Sequence, residues 1–183
     1  MEEKVIVFDP LLCTGCMRCM TTCSTYNDGA TSLSKARIHV VRHEGHAITG
    51  IDEEDELIFE VLTCQQCDKP FCLYFCPTRA IERNTETGAM TINYDRCIGC
   101  RMCMIGCPFG AIRYDSDKKQ VIKCEFCDGD PQCVKFCPTD ALQFLPKSVA
   151  NIPKIDRLAR RVVELSPRAA EELPAGEERH VSP

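Results

Sequence analysis

Cysteine dominates the chemistry of this sequence, and one run shows what it can do: Cys97-Ile98-Gly99-Cys100-Arg101-Met102-Cys103-Met104-Ile105-Gly106-Cys107-Pro108. Thiolate is a soft metal ligand, and three thiolates at two-residue intervals suit three corners of one cubane iron–sulfur cluster wrapped by a tight loop. The chain then leaves in a helical turn, so the fourth sulfur points elsewhere and can ligate a second cluster. Gly99 stands where the loop needs a residue free to take positive φ, which lets backbone N–H groups approach the sulfurs. Pro108 stops the turn and fixes its exit.

The run is repeated. The sixteen cysteines fall into four groups of four. The first, Cys13-x2-Cys16-x2-Cys19-x3-Cys23, copies the spacing above. The second, Cys64, Cys67, Cys72 and Cys76-Pro77, and the fourth, Cys124, Cys127, Cys133 and Cys137-Pro138, are expanded and match each other. Tight, expanded, tight, expanded is an internal duplication. Zinc is the rival reading, because C-x2-C pairs build tetrahedral structural sites. Zinc usually takes two pairs separated by a longer arm, whereas here three cysteines fall within seven residues, twice over. Iron–sulfur is therefore the expectation.

Composition agrees. About one residue in eleven is cysteine in a chain of 183, a density that in a short secreted protein would signal disulfides. Met1-Glu2-Glu3-Lys4 leads into only four apolar residues before Asp9-Pro10, with no signal-peptide core and no membrane-length apolar run. A reducing, cytoplasmic setting follows, where clustered cysteines are metal ligands. The 44% hydrophobic fraction counts those cysteines and includes no Trp, so the ordinary core is thin and clusters must replace it. A net charge of −5 gives nucleic acid no basic face.

The positioning elements are short. Ala80–Arg83 and Met90–Tyr94 read as a hairpin around Asn84-Thr-Glu-Thr-Gly88, and Ala111–Tyr114 and Gln120–Lys123 as another around Asp115–Lys119. Each delivers the chain from one cysteine group to the next. Val5–Phe8 has no neighbour in sequence, and its expected partner is Leu142–Leu145. Arg37–Arg42 and Leu57–Leu62 are strand-like and flank a turn at His43–His46 and an acidic loop at Asp52–Glu56. After Pro146 the cysteines stop. Residues 155–165 show helical periodicity with a basic face, and 166–183 are Pro- and Glu-rich.

Four groups of this type, with the compact fourth carrying Cys127-Asp-Gly-Asp-Pro131, resemble the four-cluster ferredoxin-like electron-transfer subunits of multi-subunit oxidoreductases. Such subunits accompany molybdenum and tungsten pterin enzymes, formate dehydrogenases, hydrogenases and carbon monoxide dehydrogenases. The fourth group and Ser34-Lys-Ala-Arg37-Ile-His-Val40 look most like the small subunit that partners tungsten enzymes of the aldehyde oxidoreductase and benzoyl-CoA reductase type. The resemblance covers residues 5 to 145. It implies an α+β fold of two intertwined bacterial-ferredoxin-like modules, with short β-hairpins and short helices around [4Fe–4S] clusters, a β-hairpin insert and a C-terminal helix and tail. Residues 1–36 with 116–146 would form one module, 64–115 the other, 37–63 the insert and 147–183 the helix and tail.

By position, the resemblance implies four clusters. One would take Cys13, Cys16, Cys19 and Cys137, and its neighbour Cys124, Cys127, Cys133 and Cys23. The second pair would be Cys64, Cys67, Cys72 with Cys107, and Cys97, Cys100, Cys103 with Cys76. One departure stands out: Cys23 is followed by Ser24 where the other groups have proline. Thr14, Gly15, Gly99 and Gly106 are placed to present amides to sulfur. Arg18 and Arg101 either offset cluster charge or face water. Phe71, Tyr74, Phe75, Phe109, Phe126 and Phe136 are expected to pack over the clusters and exclude water.

No dinucleotide-binding glycine motif or P-loop is present. His43 and His46 in a polar turn, His39 in a strand and His180 in the tail indicate no catalytic centre. Every cysteine is used as a ligand, leaving no nucleophile. Conduction is the remaining function. The chain would be an electron-transfer subunit with no chemistry of its own, working between a catalytic subunit of tungsten- or molybdenum-pterin type and a further donor or acceptor subunit or ferredoxin. The alternatives are an electron-transfer subunit of a hydrogenase, formate dehydrogenase or carbon monoxide dehydrogenase, or a free-standing polyferredoxin. An apolar stripe of Ile155, Leu158, Val162 and Leu165 either docks on the partner or packs on its own domain.

Overall fold

The computed structural model describes residues 3–43 and 58–152. The expected helix and tail beyond residue 153, the acidic loop, His46 and His180 lie outside these residues. The chain divides into two compact units, residues 1–147 and 148–183, and all of the cysteines belong to the first.

The elements are short because the cysteine loops interrupt them. Strand β1 (Lys4–Phe8) leads through the first cysteine group into helix α1 (Arg18–Asp28). Strands β2 (His39–His43) and β3 (Ile58–Leu62) follow, then helix α2 (Phe71–Tyr74) in the second group. A hairpin of β4 (Ile81–Arg83) and β5 (Met90–Ile92) leads to helix α3 (Met102–Ile105) in the third group. The hairpin β6 (Arg113–Asp115) and β7 (Gln120–Ile122) leads to helix α4 (Gln132–Lys135) in the fourth, and β8 (Leu142–Pro146) closes the series. Among the described residues this is a ferredoxin-like α+β architecture of four antiparallel two-stranded sheets.

Three of the sheets join sequence neighbours. The fourth joins the ends: β1 pairs with β8 from Lys4↔Pro146 to Phe8↔Leu142. The pair buries Ile6 and Leu142 against the core. The two tight hairpins share one device. The side chain of Asn84 accepts hydrogen bonds from the N–H groups of Glu86 and Thr87, and Asp115 accepts from those of Asp117 and Lys118. Each is a side-chain-capped turn. Asp115 thus ends β6, while Ala111 and Ile112, expected within the strand, lie in the core ahead of it.

The departure at Ser24 has a structural reason. Where proline follows the last cysteine, the helix is four residues long, as in α2, α3 and α4. With serine there, α1 continues for eleven residues to Gly29, which caps it in the left-handed conformation. The buried Ser24 hydroxyl bonds back to the Thr21 carbonyl at 3.0 Å and accepts the Ser32 N–H at 2.9 Å, tying the chain after the helix to the helix itself.

The interior is in two parts, and cysteines belong to both. One gathers Ile6, Met20, Ile38, Val40, Phe126 and Leu142 around Cys23, Cys64, Cys124 and Cys133. The other gathers Ile81, Met90, Ile92, Ile112 and Val121 around Cys103. Helix α1 packs on α4, and α2 on α3. The first and last cysteine groups are therefore neighbours, as are the two middle ones.

Candidate metal centre

The duplication is written in the backbone as well as in the spacing. In both tight groups the glycine before the second cysteine, Gly15 or Gly99, and the residue after that cysteine, Met17 or Arg101, take positive φ between 56° and 68°. In both expanded groups the residue before the second cysteine, Gln66 or Phe126, does so too. Left-handed residues in such loops turn successive N–H groups inward to make a nest for negative charge. Gly15 has a second reason to be glycine: a Cβ there would stand 2.2 Å from the Phe59 ring of β3. At Gly99 it would meet the Lys119 carbonyl at 2.9 Å. Gly106 has ordinary helical φ, and its need is the ring of Phe75, 2.8 Å from where a Cβ would be.

The sulfurs converge in fours. Cys13, Cys16, Cys19 and Cys137 line one small cavity. Cys23, Cys124, Cys127 and Cys133 line a second. Cys76, Cys97, Cys100 and Cys103 line a third. Cys64, Cys67, Cys72 and Cys107 stand together as well: burial raises the pKa of Cys67 and Cys72, and in each case the Cys64 and Cys107 thiols raise it further. Among the described residues, no three His, Cys, Asp or Glu side chains converge tightly enough to hold a single ion. A tetrathiolate zinc site would put each sulfur about 2.3 Å from one metal. Four sulfurs spaced around a cavity fit the corners of a polynuclear cluster.

Electrostatics point the same way. Burial pushes the thiols of Cys19 and Cys124 up to about 12 and that of Cys103 up to about 11, and raises Cys133. Such thiols stay protonated at neutral pH unless a metal takes them as thiolates and releases the protons. Cys76 and Cys137 differ. Burial works against them, yet both are held below the ordinary thiol value by hydrogen bonds from Thr78 and Thr139 and from following backbone amides. The hydroxyls lie 3.6 and 3.8 Å from the sulfurs, and the Ala80 N–H donates to Cys76 at 3.2 Å.

Some residues do not sit where the sequence placed them. Phe71, Tyr74, Phe75, Phe109 and Phe136 do not seal the centres: each is between 43% and 70% exposed, and only Phe126, at 1%, is interior. The cause is periodicity. In helices of a single turn, the cysteines take the inward face and the aromatics beside them turn outward. Phe126 instead enters the core edge-on to Phe144, with centroids 4.9 Å apart. Arg18 is exposed. Arg101 lines the cavity of Cys97 and stacks on Tyr114, 3.6 Å from its centroid. His43 pairs with Glu60 at 3.2 Å, and burial with Arg113 lowers the pKa of His39.

Sequence reasoning missed three contributors. Thr78 and Thr139 were signalled by the repeated Cys-Pro-Thr. Arg37 gives its N–H to Cys23 at 3.2 Å and lines that cavity beside Glu125, its ion-pair partner at 3.3 Å. No spacing rule marks an arginine fourteen residues from the cysteine it serves.

Fold and site together define an iron–sulfur protein that binds several [4Fe–4S] clusters. The 4Fe-4S dicluster domain matches residues 56–147, and a 4Fe-4S binding domain matches residues 5–29. The chain is 35% identical over 149 residues to NADH-dependent phenylglyoxylate dehydrogenase subunit beta of Aromatoleum evansii, covering 81% of this chain but 31% of that longer one. It is 34% identical over 153 residues to the thiosulfate reductase electron transfer subunit PhsB of Salmonella typhi, covering 78% of this chain and 76% of that one. A chain of the active-site complex BamBC of benzoyl-coenzyme A reductase aligns over 94% of this chain and 96% of that one, at 19% identity and a TM-score of 0.44. The protein belongs to the 4Fe-4S dicluster-domain family and is an iron–sulfur electron-transfer subunit of an oxidoreductase. No helix among the described residues is long and apolar enough to cross a membrane.

Proposed function

We propose that the chain carries electrons one at a time along a row of four [4Fe–4S] clusters between a catalytic subunit and a second redox partner. The ligand sets are Cys13, Cys16, Cys19 and Cys137; Cys23, Cys124, Cys127 and Cys133; Cys64, Cys67, Cys72 and Cys107; and Cys76, Cys97, Cys100 and Cys103. The observation that carries this reading is the gathering of four thiols about each of three cavities. The order of the row follows from which thiols influence one another across sets: Cys19 on Cys133, Cys64 on Cys124, and Cys72 on Cys103. When bound, the clusters supply one-electron chemistry. The chain's own residues hold them and aim N–H and O–H groups at the sulfurs, which raises the potential of an anionic centre.

Two intertwined modules follow from the same sets, with residues 1–36 and 116–146 in one and 64–115 in the other, separated by the insert at 37–63. Support comes from the β1–β8 pairing and from α1 on α4 and α2 on α3. The partner proposed is a tungsten- or molybdenum-pterin subunit in the cytoplasm, on the resemblance of residues 34–40 and the compact fourth group. Anaerobic purification tests the reading. About sixteen irons per chain are expected. Cys103→Ser should lose one cluster and stop electron flow through the complex while the partner's own half-reaction persists. Zinc in place of iron, or unchanged flow in Cys103→Ser, would refute it.

A further inference from the structure

Among the described residues, Lys123 is the largest fully buried side chain, at 0% exposure. Its Nζ donates to the Met90 carbonyl and, at 2.7 Å, to the Cys124 carbonyl. Both acceptors are neutral, and among the described residues no carboxylate pairs with it. A buried ammonium without a counter-charge is strongly disfavoured, so its presence calls for negative charge nearby. Metal-bound thiolates can supply that charge. Lys123 directly precedes Cys124, and its charge also lowers the pKa of Cys72, which burial otherwise raises. The two thiols belong to the two middle ligand sets.

Gln66, 1% exposed, shares the same anchor points. Its Nε2 donates to the Cys124 carbonyl at 3.1 Å, and its Oε1 accepts the Met90 N–H at 2.7 Å. Gln66 and Lys123 thus form one buried polar node between the second and fourth cysteine groups, with only one of them charged. The internal duplication supplies a comparison. Thr63 holds the matching position before Cys64, is 2% exposed, and leaves its hydroxyl without a partner. One half of the molecule carries a buried cation where the other carries a neutral hydroxyl.

We propose that Lys123 is a fixed positive charge between the two central clusters that raises their reduction potentials, so that an electron rests in the middle of the row. Reduction adds one negative charge and requires no proton, and a neighbouring cation favours the reduced form. The inference rests on the ligand sets proposed above. At an effective dielectric of about 20, a unit charge within about 10 Å changes a one-electron equilibrium by roughly tenfold or more.

The test is an anaerobic redox titration of the holoprotein followed by electron paramagnetic resonance, with iron counted in every sample. In Lys123→Met at full iron content, at least one couple should move negative by a tenfold loss in the reduction equilibrium, which is 59 mV for one electron. Lys123→Arg, which keeps the charge, should stay near the wild type. Unmoved couples in Lys123→Met overturn the proposal, as does an equal shift in Lys123→Arg. If Lys123→Met does not load iron, Lys123→Gln replaces it, and failure of both makes Lys123 a folding residue and overturns the proposal. A wild type without iron overturns the ligand sets instead.

Discussion

Replacing Ser24 by proline would make the first cysteine group read Cys-Pro like the other three, and the structure says this is costly. Ser24 lies in the middle of the eleven-residue α1. Proline there removes the amide that would bond to the Met20 carbonyl and drives its ring against that carbonyl, costing about 3 kcal/mol. The lost hydroxyl also leaves the part-buried Ser32 N–H without its acceptor, costing about 1 kcal/mol more. The total of about 4 kcal/mol is a large share of the 5–15 kcal/mol that typically holds a domain folded. With a urea m-value of about 2 kcal/mol/M, the midpoint should fall by about 2 M. The assay is anaerobic urea unfolding of the iron-loaded protein, followed by visible absorption and far-UV circular dichroism together. Ser24→Ala keeps the helix and should cost only about 1 kcal/mol. A Ser24→Pro protein with the wild-type midpoint would refute the account of why this group lacks proline.

Further outcomes follow from other features. Gly15→Ala places a methyl group into the Phe59 ring at a φ of 67°; it should destabilise the fold by about 1–3 kcal/mol, lowering the same midpoint by about 0.5–1.5 M, and Phe59→Leu in the same chain should restore part of the loss. Thr78→Val and Thr139→Val each remove a hydroxyl beside one sulfur; each should move one couple to more negative potential in a redox titration while leaving the iron content unchanged. Iron chelation under reducing conditions should abolish the far-UV signal, since cysteines stand in both parts of the interior. Reloading the iron-free chain should be weak at pH 6 and strengthen towards pH 9. Thiols raised by burial, such as Cys19 and Cys124, must lose protons to bind iron, so proton release favours binding as pH rises. Iron uptake that is flat with pH would contradict this.

How much of this was legible before the structure depends on the range over which the cause acts. Loop conformation is local: glycine before the second cysteine announced the positive φ of Gly15 and Gly99, and Asn84 and Asp115 marked the turns. The pairing of Lys4–Phe8 with Leu142–Pro146 is far apart in sequence, yet it followed from β8 standing after its cysteine group as the other strands do after theirs. Side-chain direction within one-turn helices was harder. Phe71 falls beside Cys72 in the sequence, but a helix of four residues has one inward face, and the sulfur occupies it. Arg37, Gln66 and Lys123 act across the junction between groups. Their identities carry no periodicity, so only three-dimensional neighbours reveal them.

The strand pair that joins the two ends also sets a timetable for synthesis. Hairpins β4–β5 and β6–β7 can zip as soon as they leave the ribosome, because their partners lie a few residues apart. β1 is translated first and meets β8 only when nearly the whole cysteine-bearing region has emerged, so its open edge and the thiols behind it wait longest. Nascent chains stalled before Leu142 should therefore be the ones most exposed to oxidation and to pairing with strangers.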